Sequence, residues 1–220
     1  YLDLLHEIPL SRPTPTGIHL PISTAASDRA GEWFDQHKIP QETPLVAIVP
    51  GGGASWGATA AMKQWPPQLF AQLADQLSKQ TGWTLCLLGD TTDQSLCQSI
   101  AQQMKSQAFV PPPAPDLPLL AAVLKRCRLV VGNDSGPLHL ASAVGSTSTA
   151  IFGPANPVVY GPHLSQAHHS RVAVKALACH PCYHRFRLPP CPWKVACLQQ
   201  LTPEEVYACI EPQLTKQVAA

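Results

Sequence analysis

Three short polar segments of the 220-residue chain carry residue types that could act on an anion or a sugar. The first is Gly132-Asn133-Asp134-Ser135-Gly136-Pro137-Leu138-His139, where small residues suit a tight turn and Pro137 suits the first turn of a helix. At the start of such a helix the unpaired amides of Ser135, Gly136 and Leu138, backed by the helix dipole, form a seat for phosphate. The alternative is that Asn133 or Asp134 only caps the helix and that His139 only fills the core. The second segment is Pro50-Gly51-Gly52-Gly53-Ala54-Ser55, running on to Lys63-Gln64-Trp65-Pro66. Its glycines let a backbone approach a ligand closely and its lysine can serve phosphate as a point charge. It lacks the GxxxxGK[ST] spacing of a Walker loop, and a lysine before a helix also reads as a solvated residue. The third, Gly89-Asp90-Thr91-Thr92-Asp93, offers a carboxylate to a ribose diol or, alternatively, a helix cap. Together the three have the logic of a nucleotide or nucleotide-sugar pocket.

Such loops need a scaffold, and each follows a short apolar run. LVAIV (Leu45 to Val49), TLCLL (Thr84 to Leu88) and LVVG (Leu129 to Gly132) read as strands, and the last has no polar residue, as expected of a central parallel strand buried on both faces. TSTAIFG reads as a further strand, and a short one falls near Phe109. Between them, Leu69, Leu73 and Leu77 recur at helical spacing from Pro67 to Gly82. Leu96, Ile100 and Met104 mark a second helix and LLAAVLKRC a third. Near the C-terminus, Thr202, Pro203 and Glu205 form a capping box for LTPEEVYACIEPQL. The Pro111 to Pro118 stretch is expected to be a surface loop. Strands alternating with helices indicate an α/β fold with a parallel sheet, and ligands of such sheets bind beyond the carboxyl ends of the strands. Residues 1–43 are Pro-rich and weakly patterned, a hinge or lead-in with one helix over Ala25 to His37. The expected organisation is a lead-in over 1–43 and one domain over 44–220.

Fifteen Lys plus Arg balance fourteen Asp plus Glu, which leaves no electrostatic footprint for nucleic acid or an anionic bilayer. With 45% hydrophobic and 13% charged residues the chain can bury a core. No apolar run approaches the roughly 18–20 residues of a membrane-spanning helix, and the N-terminus lacks the pattern of a secretory signal. The reading is a cytoplasmic protein with at most peripheral membrane contact. Residue 1 is Tyr, and YLDLL resembles the last turns of an uncapped helix, as in a truncated chain.

Of eight cysteines, Cys86, Cys97, Cys127 and Cys209 fall at core or helix positions and are expected to be reduced and buried. The others cluster as Cys179-x2-Cys182-x8-Cys191-x5-Cys197, with His180 and His184 alongside. Four thiols in nineteen residues could hold structural Zn²⁺ or an iron-sulfur cluster, stay as free thiols, or form one or two disulfides. Arg185, Arg187 and Lys194 in the same segment could face an anionic acceptor or simply be solvated, and Tyr183 and Trp193 read as packing residues.

The blocks KQWPPQLFAQLADQL, LLGDTTD, LLAAVLKRCRLVVGNDSGPLHLASAVG and AIFGPANPVVYGP, with CHPCY continuing to CL and LTPEEV, resemble the family 9 glycosyltransferases, the heptosyltransferases of lipopolysaccharide core assembly. The resemblance covers residues from about 40 to 214 and is most specific in NDSGPLHLA. It implies a Rossmann-like parallel sheet flanked by helices, the C-terminal, donor-binding half of a GT-B glycosyltransferase. By that resemblance Lys63 contacts the donor phosphates, with Thr59 as a further phosphate contact. Asp93 stands on the nucleotide ribose and Asp134 near the transferred sugar. The loop amides of Ser135, Gly136 and Leu138 take the diphosphate with His139 beside them, and the adenine lies around Pro115 and Leu117. The implied activity is inverting transfer of a heptose or related sugar from an ADP-activated donor to a lipopolysaccharide-core or other glycan acceptor. The general base belongs to an acceptor domain before Tyr1, so no catalytic residue is expected in this chain. No cofactor is then required for catalysis, because Lys63 and the helix amides carry the charge of the departing diphosphate. The readings left standing beside this one are a non-catalytic nucleotide-sugar-binding module and a metal-binding interaction protein.

Overall fold

The structure is a computed structural model, and it describes residues 18–162, 169–184 and 187–215. Six strands form one parallel sheet: β1 (Leu45–Val49), β2 (Thr84–Leu87), β3 (Ala108–Phe109), β4 (Cys127–Asn133), β5 (Ser148–Phe152) and β6 (Ser170–Val174). Their order across the sheet is β3-β2-β1-β4-β5-β6. That is the doubly wound Rossmann order, in which the chain turns from one side of the sheet to the other between β1 and β4. The expected Rossmann-like α/β fold is therefore present.

Alternation along β1 sorts the core into two layers. Leu45, Ala47 and Val49 face the layer made by α1 (Thr24–Gln36), α4 (Leu117–Arg126) and α5 (Gly136–Ala143). Val46 and Ile48 face the layer made by α2 (Pro67–Thr81), α3 (Gln94–Gln103) and α8 (Pro203–Thr215). The α2 stripe predicted from leucine spacing is buried as Phe70, Leu73 and Leu77. Each such side chain contributes roughly 1.5–3 kcal/mol on full burial. Gly82 closes α2 in the left-handed region at φ 67°. The capping box of α8 forms, with Glu205 N–H donating to Thr202 Oγ1 at 3.3 Å and Thr202 N–H donating to a Glu205 carboxylate oxygen at 2.9 Å. α1 buries Ala26, Ala30, Trp33 and Phe34 in the same layer as α4.

Four local expectations need correction. The loop expected over Pro111 to Pro118 ends at Asp116, which caps α4 by accepting from Leu119 N–H at 2.8 Å. Pro118 sits inside the first helical turn, where a missing N–H costs nothing. β6 has no counterpart among the expected strands, because its edge position leaves Ser170 and Arg171 in place of a continuous apolar run. Two 3-10 pieces within Ala54–Lys63, separated by a kink at Gly57 (φ 51°), occupy most of what reads as a glycine loop. Trp193, expected to pack, is 65% exposed, whereas Tyr183 does pack, 5.6 Å from Tyr160. Further along, two short helices, α6 (Pro157–Tyr160) and α7 (Ala196–Gln199), complete the described elements.

Candidate functional site

The turn of the chain between β1 and β4 places two of the three predicted loops side by side at the carboxyl ends of these strands. Gly132 makes the approach possible: a Cβ there would collide with Val49 O and Leu138 Cδ2. Asn133, the last residue of β4, is fully buried and ties the loops together. Its Oδ1 accepts from Trp65 N–H at 2.9 Å and its Nδ2 donates to Pro50 O at 2.6 Å. It therefore does not cap α5. Residue type alone suggests no role for Asn133 beyond capping; the available signal is a polar side chain ending an otherwise apolar central strand.

A cavity of about 320 Å³ opens at this point, within the size range of small-molecule sites. Gly51, Gly53, Gly89, Asp93 and Ser135 line one part of it, and Pro113, Ala114, Pro115, Leu117 and Leu120 form an apolar wall. The region around Pro115 and Leu117 thus faces the same space as the glycine loop.

Within the third loop the two carboxylates divide their roles. Asp90 Oδ1 accepts from Thr92 N–H at 2.7 Å, Thr92 Oγ1 at 2.6 Å and Asp93 N–H at 3.1 Å. The Thr92 hydroxyl bond above all holds the Asp90 carboxyl below its ordinary pKa. Asp90 thereby closes the turn that precedes α3, and the Asp93 side chain makes no cap hydrogen bond to the helix. The Asp93 carboxylate instead rests against Gly51 and Gly89, where any Cβ would strike it. Burial, reinforced by the charge of Asp90, pushes its pKa up.

At α5 the expected amides are not all available. Leu138 N–H donates to Ser135 O at 3.1 Å, closing the first turn on itself, and its side chain is buried beneath. Leu138 is therefore a core residue and not a donor to ligand. Ser135 precedes the helix in extended conformation, and its Oγ is buried without a hydrogen-bond partner among the described residues. Gly136 is exposed, and a Cβ there would enter open space.

Lys63, Asp134 and His139 form a second group beside the cavity. Lys63 Nζ lies 2.8 Å from Asp134 Oδ2, with both side chains less than a tenth exposed, and His139 Nε2 lies 3.8 Å from Asp134 Oδ1. Burial alone would raise the Asp134 pKa, but His139 and the hydrogen bond and charge of Lys63 outweigh it and hold the carboxyl below the usual range. Lys63 is thus not a solvated surface lysine. Thr59 lies exposed on the 3-10 segment and lines neither space.

All eight cysteines are free, so the disulfide alternative is not realised. Cys86, Cys97 and Cys127 are buried as expected, whereas Cys209 is only half-buried. Cys179, Cys182, Cys191 and Cys197 line one small cavity of about 20 Å³. As their side chains stand, no three described His, Cys, Asp or Glu residues converge to hold a metal ion. Arg187 and Lys194 are exposed, and Arg185 lies outside the described residues. No helix among the described residues is long and apolar enough to cross a membrane.

Residues 2–188 match the family described as Glycosyltransferase family 9 (heptosyltransferase). The lipopolysaccharide heptosyltransferase 2 of Escherichia coli K12 is 32% identical over 142 residues, 63% of this chain and 38% of that protein. The lipooligosaccharide heptosyltransferase 2 of Campylobacter jejuni serotype O:6 is 30% identical over 158 residues, 70% of this chain and 47% of its own length. Among solved structures, a family 9 glycosyl transferase from Veillonella parvula superposes with a TM-score of 0.75 at 24% identity, covering 97% of this chain and 58% of its own. The E. coli ADP-heptose lps heptosyltransferase II gives 0.71 at 22% identity, covering 96% and 57%. The chain thus spans less than half the length of these sequence relatives, and the two structures share its fold.

Proposed function

The chain belongs to glycosyltransferase family 9, the heptosyltransferase family, and from that premise we propose that it is the donor-binding half of a GT-B enzyme. The reaction we infer is transfer of a heptose or related sugar from an ADP-activated donor to a lipopolysaccharide-core or other glycan acceptor, with inversion. One observation carries the reading: a cavity of about 320 Å³ at the β1/β4 turn joins an apolar wall, the Asp93 carboxylate and the start of α5 in a single space.

In this reading the nucleobase lies against Pro113, Ala114, Pro115 and Leu117. Asp93 accepts hydrogen bonds from the ribose hydroxyls, and the diphosphate takes the amides of Ser135 and Gly136 with the Ser135 hydroxyl. Asp134 and His139 stand near the transferred sugar, and Lys63, held by Asp134, supplies the positive charge. During transfer the acceptor oxygen attacks the anomeric carbon as the bond to the diphosphate breaks. The acceptor's proton passes to a base outside this chain's described site, and the charge left on ADP is met by Lys63 and the helix amides. Preorganised charges and dipoles of this kind commonly supply more of an enzyme's rate enhancement than any other single effect. A cytoplasmic location, where nucleotide-activated sugars are available, and at most peripheral membrane contact go with the proposal.

The test is release of ADP from ADP-heptose by the full-length protein in the presence of a lipopolysaccharide-core acceptor. Acceptor-dependent release is expected. A full-length protein that neither binds ADP nor releases it would overturn the proposal.

A further inference from the structure

A second cavity, of about 260 Å³, adjoins the donor cavity and is lined by Gly52, Gly57, Ala60, Gln64 and Thr92. Gly53, Asp90 and Asp93 line both spaces. The two aspartates therefore stand on the rim that the spaces share. The ribose edge of a nucleotide lies on that rim if Asp93 takes its hydroxyls.

The charges around the two spaces have one sign. No lysine, arginine or histidine among the described residues lines either cavity, whereas Asp90, Asp93 and Asp116 do. Asp116 is ion-paired with Arg29 at 2.7 Å. Lys63 and His139 lie against Asp134 instead. That leaves Asp90 and Asp93 on the rim with no cation opposite them. Asp90 is exposed, and its Oδ1 accepts from Thr92 N–H, Thr92 Oγ1 and Asp93 N–H, a set of bonds that favours the ionised carboxylate. Its charge reaches Asp93 strongly enough to help raise that carboxyl's pKa.

A ribose hydroxyl is neutral and can donate to a carboxylate. A phosphate ester in its place brings about two negative charges and, when fully ionised, only acceptors. Repulsion between such a group and two carboxylates grows as water is displaced from between them. Dinucleotide folds that accept a 2′-phosphate supply an arginine for it, and none lines this rim. Volume is not the obstacle, because the second cavity leaves open space beside the ribose.

Resting on the donor reading above, we propose that Asp90 and Asp93 form a charge filter that admits ADP with a free ribose diol and rejects nucleotides phosphorylated at the 2′ or 3′ oxygen. The second cavity admits an uncharged group at the same oxygens. Asp90 is then a specificity residue, acting through its charge on ligands that it does not hydrogen-bond. Cofactors that share the ADP core but carry a ribose phosphate are kept out of the donor site.

The test measures binding of ADP, 2′-phospho-ADP and the uncharged ribose ester N-methylanthraniloyl-ADP to the full-length protein by calorimetry at low and high salt. ADP is expected to bind at least about tenfold more tightly than 2′-phospho-ADP at low salt, with the ratio shrinking as salt screens the carboxylates. The ester, which gives up one hydroxyl donor, should stay within about tenfold of ADP. Asp90→Asn keeps the Oδ1 acceptor of the turn and removes only the charge, so it should lower the ratio several-fold. A merely structural Asp90 would change both affinities alike. Equal binding of ADP and 2′-phospho-ADP overturns the filter. So does a ratio that neither salt nor Asp90→Asn moves, or an ester weakened as much as the phosphate, since exclusion would then be steric. A full-length protein that does not bind ADP overturns the donor reading and the filter with it, whereas ADP binding without discrimination overturns the filter alone.

Discussion

Asn133 holds Trp65 by its backbone: the Trp65 N–H donates to Asn133 Oδ1 at 2.9 Å, across sixty-eight positions of sequence. With the second bond to Pro50 O, one buried amide fixes both ends of the segment from Pro50 to Trp65, which carries the glycines and Lys63. Asn133→Ala leaves a buried N–H and a buried carbonyl unsatisfied. The expected loss is about 2–4 kcal/mol of stability. Asn133→Asp should cost a similar amount, because a carboxylate cannot donate to Pro50 O. Urea denaturation of both variants checks this, and wild-type midpoints would show that the amide does not hold the loops.

The Lys63–Asp134 pair makes a prediction about coupling. Removing either partner deprives the other, buried charge of this ion pair, at a cost of about 3–5 kcal/mol. Lys63→Met combined with Asp134→Leu should be less destabilising than the sum of the two single changes, since no charge is then left alone. A double-mutant cycle by chemical denaturation measures the difference, and additivity would mean that the two side chains do not interact in solution.

The same pair fixes the sign of a pH effect. Because the native Asp134 carboxyl is held below its ordinary pKa, its contribution is complete above the unfolded-state value near ~4 and is lost as pH falls through the lower native value. Wild-type stability should therefore decline on the acid side more steeply than that of Asp134→Asn. Parallel acid limbs would contradict the assignment.

Asp93 should behave in the opposite way. Its native pKa is raised, so the native state is penalised for carrying the charge, and stability falls as pH rises from the unfolded-state value through the raised native one. Asp93→Asn should then melt at or above the wild-type temperature at neutral pH while binding ADP about tenfold more weakly, the loss of roughly one charge-assisted hydrogen bond. Thermal melts and calorimetry read the two effects separately. A destabilised variant with full affinity would make Asp93 structural.

Much of the scaffold is legible in the sequence because central parallel strands read as unbroken apolar runs, as in β1 and β4, and because α2 and α8 carry their own stripes and caps. β6 is not, since an edge strand with Ser170 and Arg171 lacks that signature. At the site, the turn before α5 and the Asp90/Asp93 loop can be found by residue type alone. Which aspartate closes the turn and which is wedged against the glycine loop cannot, because the choice depends on the close approach of Gly51 to Asp93. Lys63 and Asp134 can each be singled out, but not as partners, because nothing in a sequence joins residues more than seventy positions apart. Leu138 departs from its expected role for a local reason: its amide closes the first helical turn on Ser135 O instead of pointing outward.

The most direct measurement is calorimetric titration of ADP into this 220-residue chain and into its Gly136→Val variant. The substitution enters open space, so the fold should survive with an unchanged melting temperature, while the added methyl groups stand where the diphosphate would approach α5. Saturable ADP binding by the wild type, weakened at least about tenfold in the variant, roughly 1.4 kcal/mol, is the predicted result. Equal ADP affinity in the two proteins, or no binding by either the chain or the full-length protein, would contradict a donor diphosphate seated at the start of α5.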